Sequence, residues 1–312
     1  MTLGYTLKLM LSNFSNVWKL LLYKLICILC VLGLTTVVAW PIINVLIREN
    51  FFVNLQTSFE DMLFNLNIEK LFVSVDKTVK SFFDIVGANN YLALTIVCGV
   101  VAVVLFTFLN GYASIAVHES INGYMSSLTR YGFTNAYVSN FGRATLFNLA
   151  SLITIVPLNF AIWIGAYFMA SRLYAKIGVI AIILTFLVLI LLLTLKNTFF
   201  SGWKPALIVH NQPTFVALKN GVVAVFRRFF RTLSNYAIII LGLLIINLFG
   251  LSLTAGVALI VTLPLSTLLC IILDQVSYYE SMGMRFYTDG EHVITPKKLE
   301  QQDKFAKVKD II

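Results

Sequence analysis

Acidic side chains are scarce in this chain. Only 14 Asp and Glu occur in 312 residues, against 23 Lys and Arg, and charged residues of every kind make up 12%. Between residues 196 and 236 there is no acid at all. Soluble domains carry about 25% charged and about 45–50% apolar residues, and this chain is 59% hydrophobic. A water-soluble fold of this length could not hide so much apolar surface, which excludes an ordinary soluble domain. The formal charge of +9 does not make a nucleic-acid binder, because the bases sit beside apolar runs rather than in a basic domain of their own.

Reactive groups are equally thin. The three histidines, His118, His210 and His292, are scattered, and all four cysteines, Cys27, Cys30, Cys98 and Cys270, lie in apolar runs. Cys27 and Cys30 have C-x-x-C spacing, but no second pair or nearby His completes a metal site, so both read as small apolar residues. The chain has no G-x-x-x-x-G-K-[ST], no H-E-x-x-H and no G-x-S-x-G. His118 and Glu119 are adjacent, which puts them about 100° apart on a helix, so they do not form a base and its orienting partner. The expectation is therefore a non-enzymatic protein with no catalytic residue, cofactor or metal.

Long apolar runs are what the chain has. About 20 mostly apolar residues at about 1.5 Å each cross a bilayer core of about 30 Å. The runs 25–47, 92–117, 144–169 and 177–195 meet that length. Lys8, Lys19 and Lys24 ahead of the first run resemble a signal-peptide start. That run is too long for such a peptide and no small-x-small site follows it, so it reads as a retained anchor. The stretch 237–273 carries no charge, and as one helix it would be about 55 Å long. Two helices, 237–252 and 254–273, joined near Gly250–Gly256 fit it better, with a re-entrant hairpin as the alternative. The fold expected is all-α and polytopic: one transmembrane domain over 1–273 with six spans, then a short tail over 274–312.

Basic residues mark the cytoplasmic side of a membrane protein. With the N-terminus inside, 17 of the 23 bases fall on inner segments, and the outer ones are Arg48, Lys70, Lys77, Lys80, Arg172 and Lys176. This ordering predicts a cell-membrane protein with both termini in the cytoplasm.

Two segments outside the spans have helical periodicity. An outer amphipathic cap over 57–87 sets Ile68, Leu71, Phe72, Val75, Val79, Phe82, Phe83 and Val86 against Glu69, Lys70, Asp76, Lys77, Lys80 and Asp84. An earlier, out-of-phase stripe predicts a break near Asn65–Asn67. On the inner side, an interfacial helix over 213–231 groups Phe215, Leu218, Val222, Val225, Phe226 and Phe229 on one face. Its phenylalanines would enter the acyl boundary. Lys219, Arg227, Arg228 and Arg231 would meet anionic headgroups of the inner leaflet, at about 1 kcal/mol each. A protein partner is the other reader of such a basic face. Three triplets, Ser12-Asn13-Phe14, Ser139-Asn140-Phe141 and Ser234-Asn235-Tyr236, precede spans and predict three inner elbows whose Ser and Asn cap the N–H groups of the next helix.

No ionisable residue falls within the six predicted spans, where charge is costly and kept for function. His118, Glu119 and Asp274 stand at span ends. The polar set inside is Asn44, Asn110, Asn148, Asn159 and Asn247. Such residues either bond helices together or, if they face one cavity, form a site for a neutral solute.

Trp203-Lys204-Pro205-Ala206, then Ala217-Leu218-Lys219, an Arg/Phe helix and a final hairpin resemble a group of bacterial six-helix membrane proteins. That group includes the membrane domain attached to some glycerophosphodiester phosphodiesterases. The resemblance covers about 196–273 and implies a fold more than a function. Together these observations favour a membrane component or partner of lipid or envelope machinery. The alternative is a permease, or permease subunit, for a neutral or lipid-like solute.

Overall fold

Apolar runs specify helices here, and the helices outlast the runs. A computed structural model describes residues 2–64, 68–129, 131–254, 256–290 and 292–295. In chain order the elements are α1 (Thr2–Ser12), α2 (Ser15–Arg48), α3 (Phe51–Phe64), α4 (Ile68–Ala88), α5 (Leu92–Ser127), α6 (Phe133–Ser139) and α7 (Phe141–Ile177). They continue with α8 (Val179–Phe200), α9 (Trp203–Val209), α10 (Thr214–Phe226), α11 (Phe229–Leu253) and α12 (Leu259–Met282), and a small hairpin of β1 (Phe286–Tyr287) and β2 (Val293–Ile294). Six helices, in α2, α5, α7, α8 with α9, α11 and α12, are long and apolar enough to cross a membrane. The chain is an all-α, multi-pass membrane protein.

The final apolar stretch is a hairpin of two full-length helices, α11 and α12, which turn at Gly256 in a left-handed conformation (φ 86°). α5 is 36 residues and so about 54 Å long, well beyond the 30 Å of a bilayer core. Its last turns, from Tyr112 onward, are almost wholly buried in protein. A window of apolar residues stops at His118-Glu119. The helix does not, because its continuation is shielded by other helices rather than by lipid.

α2, α5, α7, α8, α11 and α12 each pack on the next, and α12 returns to α2, closing a ring. On the side where both described ends of the chain lie, α5 and α12 also meet directly. Val117 and Ile121 pack with Leu268, Ile272 and Val276, and α1 and α2 add Leu9, Val17 and Leu20. α12 stops at Gly283 (φ 68°), where Met284 N–H returns to the Tyr279 carbonyl, a Schellman-type end. Phe286 of the β hairpin then tucks under the same cluster.

Four sequence expectations change. The inner helix over 213–231 is two elements. α10 ends at Phe226, the chain bends at Arg227–Arg228, and Phe229 and Arg231 open α11. α10 packs mainly through small residues, Thr214, Ala217, Gly221 and Ala224, with Val225 the one larger side chain fully buried. A Cβ at Gly221 would strike the backbone of Gly202, so α9 and α10 approach as closely as glycines allow. Phe215 and Phe226 stay exposed.

Of the three elbows, Asn13 and Asn140 do mark breaks, whereas Ser234-Asn235-Tyr236 lies inside α11. The two elbow asparagines also act backwards. Each Nδ2 donates to a carbonyl of the preceding helix, Leu9 and Ala136, both at 3.0 Å.

The outer cap is present as α3 and α4, although the proposed break at 65–67 lies outside the described residues. Its acids do not all face water. Asp76 accepts from Tyr167 at 3.0 Å and Ser171 at 3.1 Å, both on α7, and from Lys80 at 2.5 Å. Partial burial would raise the Asp76 carboxyl, but these three donors outweigh it and hold the group below its ordinary value. Val75 and Phe83 of its apolar face are exposed.

Candidate functional site

Lysines placed by the sequence at the bilayer edge meet inside the ring. α2 brings Lys24, α8 brings Lys196 and α9 brings Lys204, and all three line a cavity of about 570 Å³. Every helix of the ring contributes to its wall: Ile28 of α2, Phe106 and Ser114 of α5, Phe147 and Ile155 of α7, Phe200 of α8, Tyr236 of α11, and Leu263, Thr267 and Asp274 of α12. An adjoining space of about 300 Å³ shares Lys24, Phe106, Phe147 and Lys204 with the first, so the two are lobes of one hollow.

Each ammonium is steadied by a neutral oxygen. Lys24 donates to Thr267 Oγ1, Lys196 to Asn159 Oδ1 at 2.8 Å, and Lys204 to Ser114 Oγ at 2.7 Å. Lys204 Nζ also stands 5.7 Å from the centre of the Phe147 ring, within cation–π range. An ammonium has three donors, so each keeps some to spare. Among the described residues no carboxylate oxygen lies within 4.0 Å of any of the three.

Among the described residues Asp274 is the cavity's single carboxylate, and one of its oxygens accepts a hydrogen bond. The Tyr236 hydroxyl donates to Oδ1. His118, fully buried, sets Nε2 3.6 Å from Oδ2, too long for a hydrogen bond. His118 Nδ1 is 2.8 Å from the Ser114 carbonyl, which only accepts, so Nδ1 carries a hydrogen. Ser114 thus anchors His118 through its backbone and Lys204 through its hydroxyl. Asp274 stands beyond ion-pair distance of the three bases, although its charge still reaches Lys204 across the cavity. The cavity presents three cationic groups to one anionic group, in a largely apolar lining.

The predicted asparagine site does not assemble. Asn148 is buried, and its Nδ2 crosses from α7 to the Phe108 carbonyl of α5 at 2.9 Å, with Oδ1 set against Gly111. Asn159 ties α7 to α8 through Lys196, and Asn247 ties α11 to α12 through Ser266 Oγ at 3.4 Å. Asn110 bonds its own helix at the Phe106 carbonyl, and Asn44 is exposed on α2. Only Asn110 and Asn148 border the hollow. These residues mostly bolt helices together, as amides in an apolar medium do when a partner is near.

The basic set on the inner side divides. Arg228 and Arg231 pair with Glu280 of α12 at 3.4 and 3.2 Å, and Arg231 and Glu280 both hold the Thr2 hydroxyl, at 2.8 and 2.9 Å. Arg227 points at Met282 Sδ, 3.8 Å away. A region without acids borrows its carboxylate from a helix some fifty residues on, which no local pattern reveals. Lys219 remains exposed, and Phe226 stacks on Phe229 at 5.4 Å with its outer face open.

The lysine cavity was missed because Lys24, Lys196 and Lys204 read as markers of topology, and His118 and Asp274 as solvated helix ends. One signal pointed to it. Lys196 and Lys204 stand singly in an otherwise apolar stretch, with Thr194, Asn197, Thr198 and Ser201 around them. Lysines that serve only topology have no need of that escort. Among the described residues no three metal-ligating side chains converge. No family model matches this chain, and neither a curated protein nor a solved structure matches it.

Proposed function

We propose that this protein holds the head of an anionic amphiphile, a phospholipid or another lipid-linked phosphate, in the cavity around Lys24, Lys196 and Lys204. The carrying observation is three ammonium groups lining one cavity inside the helix ring, each bonded to a neutral oxygen, facing a single carboxylate that lies beyond ion-pair distance. Three half-buried cations against one anion in an apolar lining are costly, and a bound phosphate would offset that cost. Lysine suits phosphate as a mobile point charge. A neutral solute would leave the charges uncompensated, so the lipid-like form of the permease reading is the one that shares this site.

The protein then acts as a non-enzymatic, lipid-handling component of the cell membrane. Its ends lie in the cytoplasm, in accord with the excess of base on that side, and α10 rests its phenylalanines on the anionic inner leaflet. The test is retention of labelled phosphatidic acid against phosphatidylcholine by the detergent-purified protein. The wild type should keep the anionic lipid at least tenfold better, and Lys196→Met with Lys204→Met should abolish the preference while leaving the folded, monodisperse protein. Equal retention of both lipids by the wild type would rule the site out.

A further inference from the structure

Beyond the cavity, toward the outer cap, the far half of α5 is thinly covered by side chains. Phe106, Asn110 and Ser114 put one face of α5 toward the hollow. By the 100° helical step, Val103, Gly99, Ile96 and Leu92 continue that face toward the far end. Each is exposed: Leu92 is 42%, Ile96 54% and Val103 41% accessible. A Cβ at Gly99 would meet no atom within 4 Å. On α12, Ile260, one turn beyond the lining residue Leu263, is 51% accessible. An apolar face in line with the cavity and so thinly covered by side chains must be met by something apolar.

We infer that the acyl chain of the same anionic lipid fills this space, running inside the ring along the Val103–Gly99–Ile96–Leu92 face while its phosphate sits among the lysines. The inference rests on the proposed function and places the chain of its lipid inside the ring, as opposed to in the surrounding bilayer. Charge and polarity select the occupant. The cationic end lies on the side of the chain termini and the apolar end points to the midplane and beyond, which is the orientation of a lipid in that leaflet. No soluble anion would cover the α5 face, and bulk lipid would leave the lysines unpaired.

The experiment uses the full chain in phosphatidylcholine nanodiscs with a small fraction of phosphatidic acid bearing a diazirine near the end of one acyl chain. Cross-linked residues are mapped by mass spectrometry. The result expected is labelling of Val103, Ile96 and Ile260. It should fall at least fivefold in Lys196→Met/Lys204→Met and in Gly99→Trp, whose indole would occupy the space. Labelling of Ile153, 77% accessible on α7 away from Phe147 and Ile155, should be unchanged. Labelling confined to outward residues, or α5 labelling indifferent to the lysines, would overturn the inference, and the wild-type map alone decides this if Gly99→Trp does not fold. A six-carbon phosphatidic acid separates the two readings. If it is retained through the lysines while the long chain labels only the outside, the head site stands and the chain compartment falls. If neither lipid depends on the lysines, both fall. Cross-links to a second copy of the chain at Val103 would also overturn it.

Discussion

The two ends of the helix ring are built differently. On the side of the termini, α5 from Tyr112 to Met125 and α12 from Leu268 to Tyr279 are almost entirely buried, with α1, α9 and the β hairpin packed around them. On the far side, no residue in the most apolar window of α5 is buried, and one small cluster of Ile42, Leu46, Phe51 and Val86 ties the cap to α2. The medium explains the contrast. Where helices emerge toward water, covering a large apolar side chain is worth about 1.5–3 kcal/mol, so the protruding turns pack densely. Within lipid, the surroundings are as apolar as the side chains and burial gives almost no drive, so polar ties and small residues hold the helices there. Polar chemistry, the lysine cavity included, lies where the two regimes meet.

Substitutions break that comparison in order of size. Gly221→Val, in the packed end, should be the most damaging, at about 3 kcal/mol, because its branches strike the backbone of Gly202 and force α9 from α10. Thermal unfolding in detergent reads it, and a melting point within a degree of the wild type would contradict the close packing. Glu280→Ala should cost about 2 kcal/mol, since Arg228, Arg231 and Thr2 all lose their acceptor, with half-exposed arginines limiting the penalty. Limited proteolysis near Thr2 should accelerate in that variant.

In the looser end, Asp76→Asn should cost about 1 kcal/mol and free α4 from Tyr167 and Ser171, seen as faster hydrogen exchange in the cap. Because the folded Asp76 carboxyl is held below its unfolded value of about 3.9, its contribution is whole above that pH and fades only as pH falls through the lower, folded value. The cap should therefore be unchanged from pH 8 to 5 and loosen below about pH 4. Smallest of all, Val103→Ala should shift stability by less than about 0.5 kcal/mol despite its place in a span. A loss near 3 kcal/mol would mean that side chains do fill the far interior.

Composition and run length made the six membrane helices, the final hairpin and the outer cap legible, because a bilayer demands long apolar helices and the chain spells them. Helix ends were not legible. His118 and Asp274 end their apolar runs yet lie inside helices shielded by neighbours, and only the tertiary arrangement supplies that shield. The site was missed for the same reason. Lys24, Lys196 and Lys204 are separated by up to 180 positions in sequence, and each alone looks like a base at a membrane edge. Asparagines drew notice because they lie mid-span. Asn148, Asn159 and Asn247 prove to be joints, since an amide needs only one partner and the next helix supplies it.

A structure of the protein in nanodiscs containing phosphatidic acid tests the central claim most directly. The account predicts a phosphate among the ammonium groups of Lys24, Lys196 and Lys204, at about 2.7–3.2 Å from at least two of them, with Asp274 still bonded to Tyr236. A cavity holding only water in the presence of that lipid, or the three lysines swung to the surface, would contradict it.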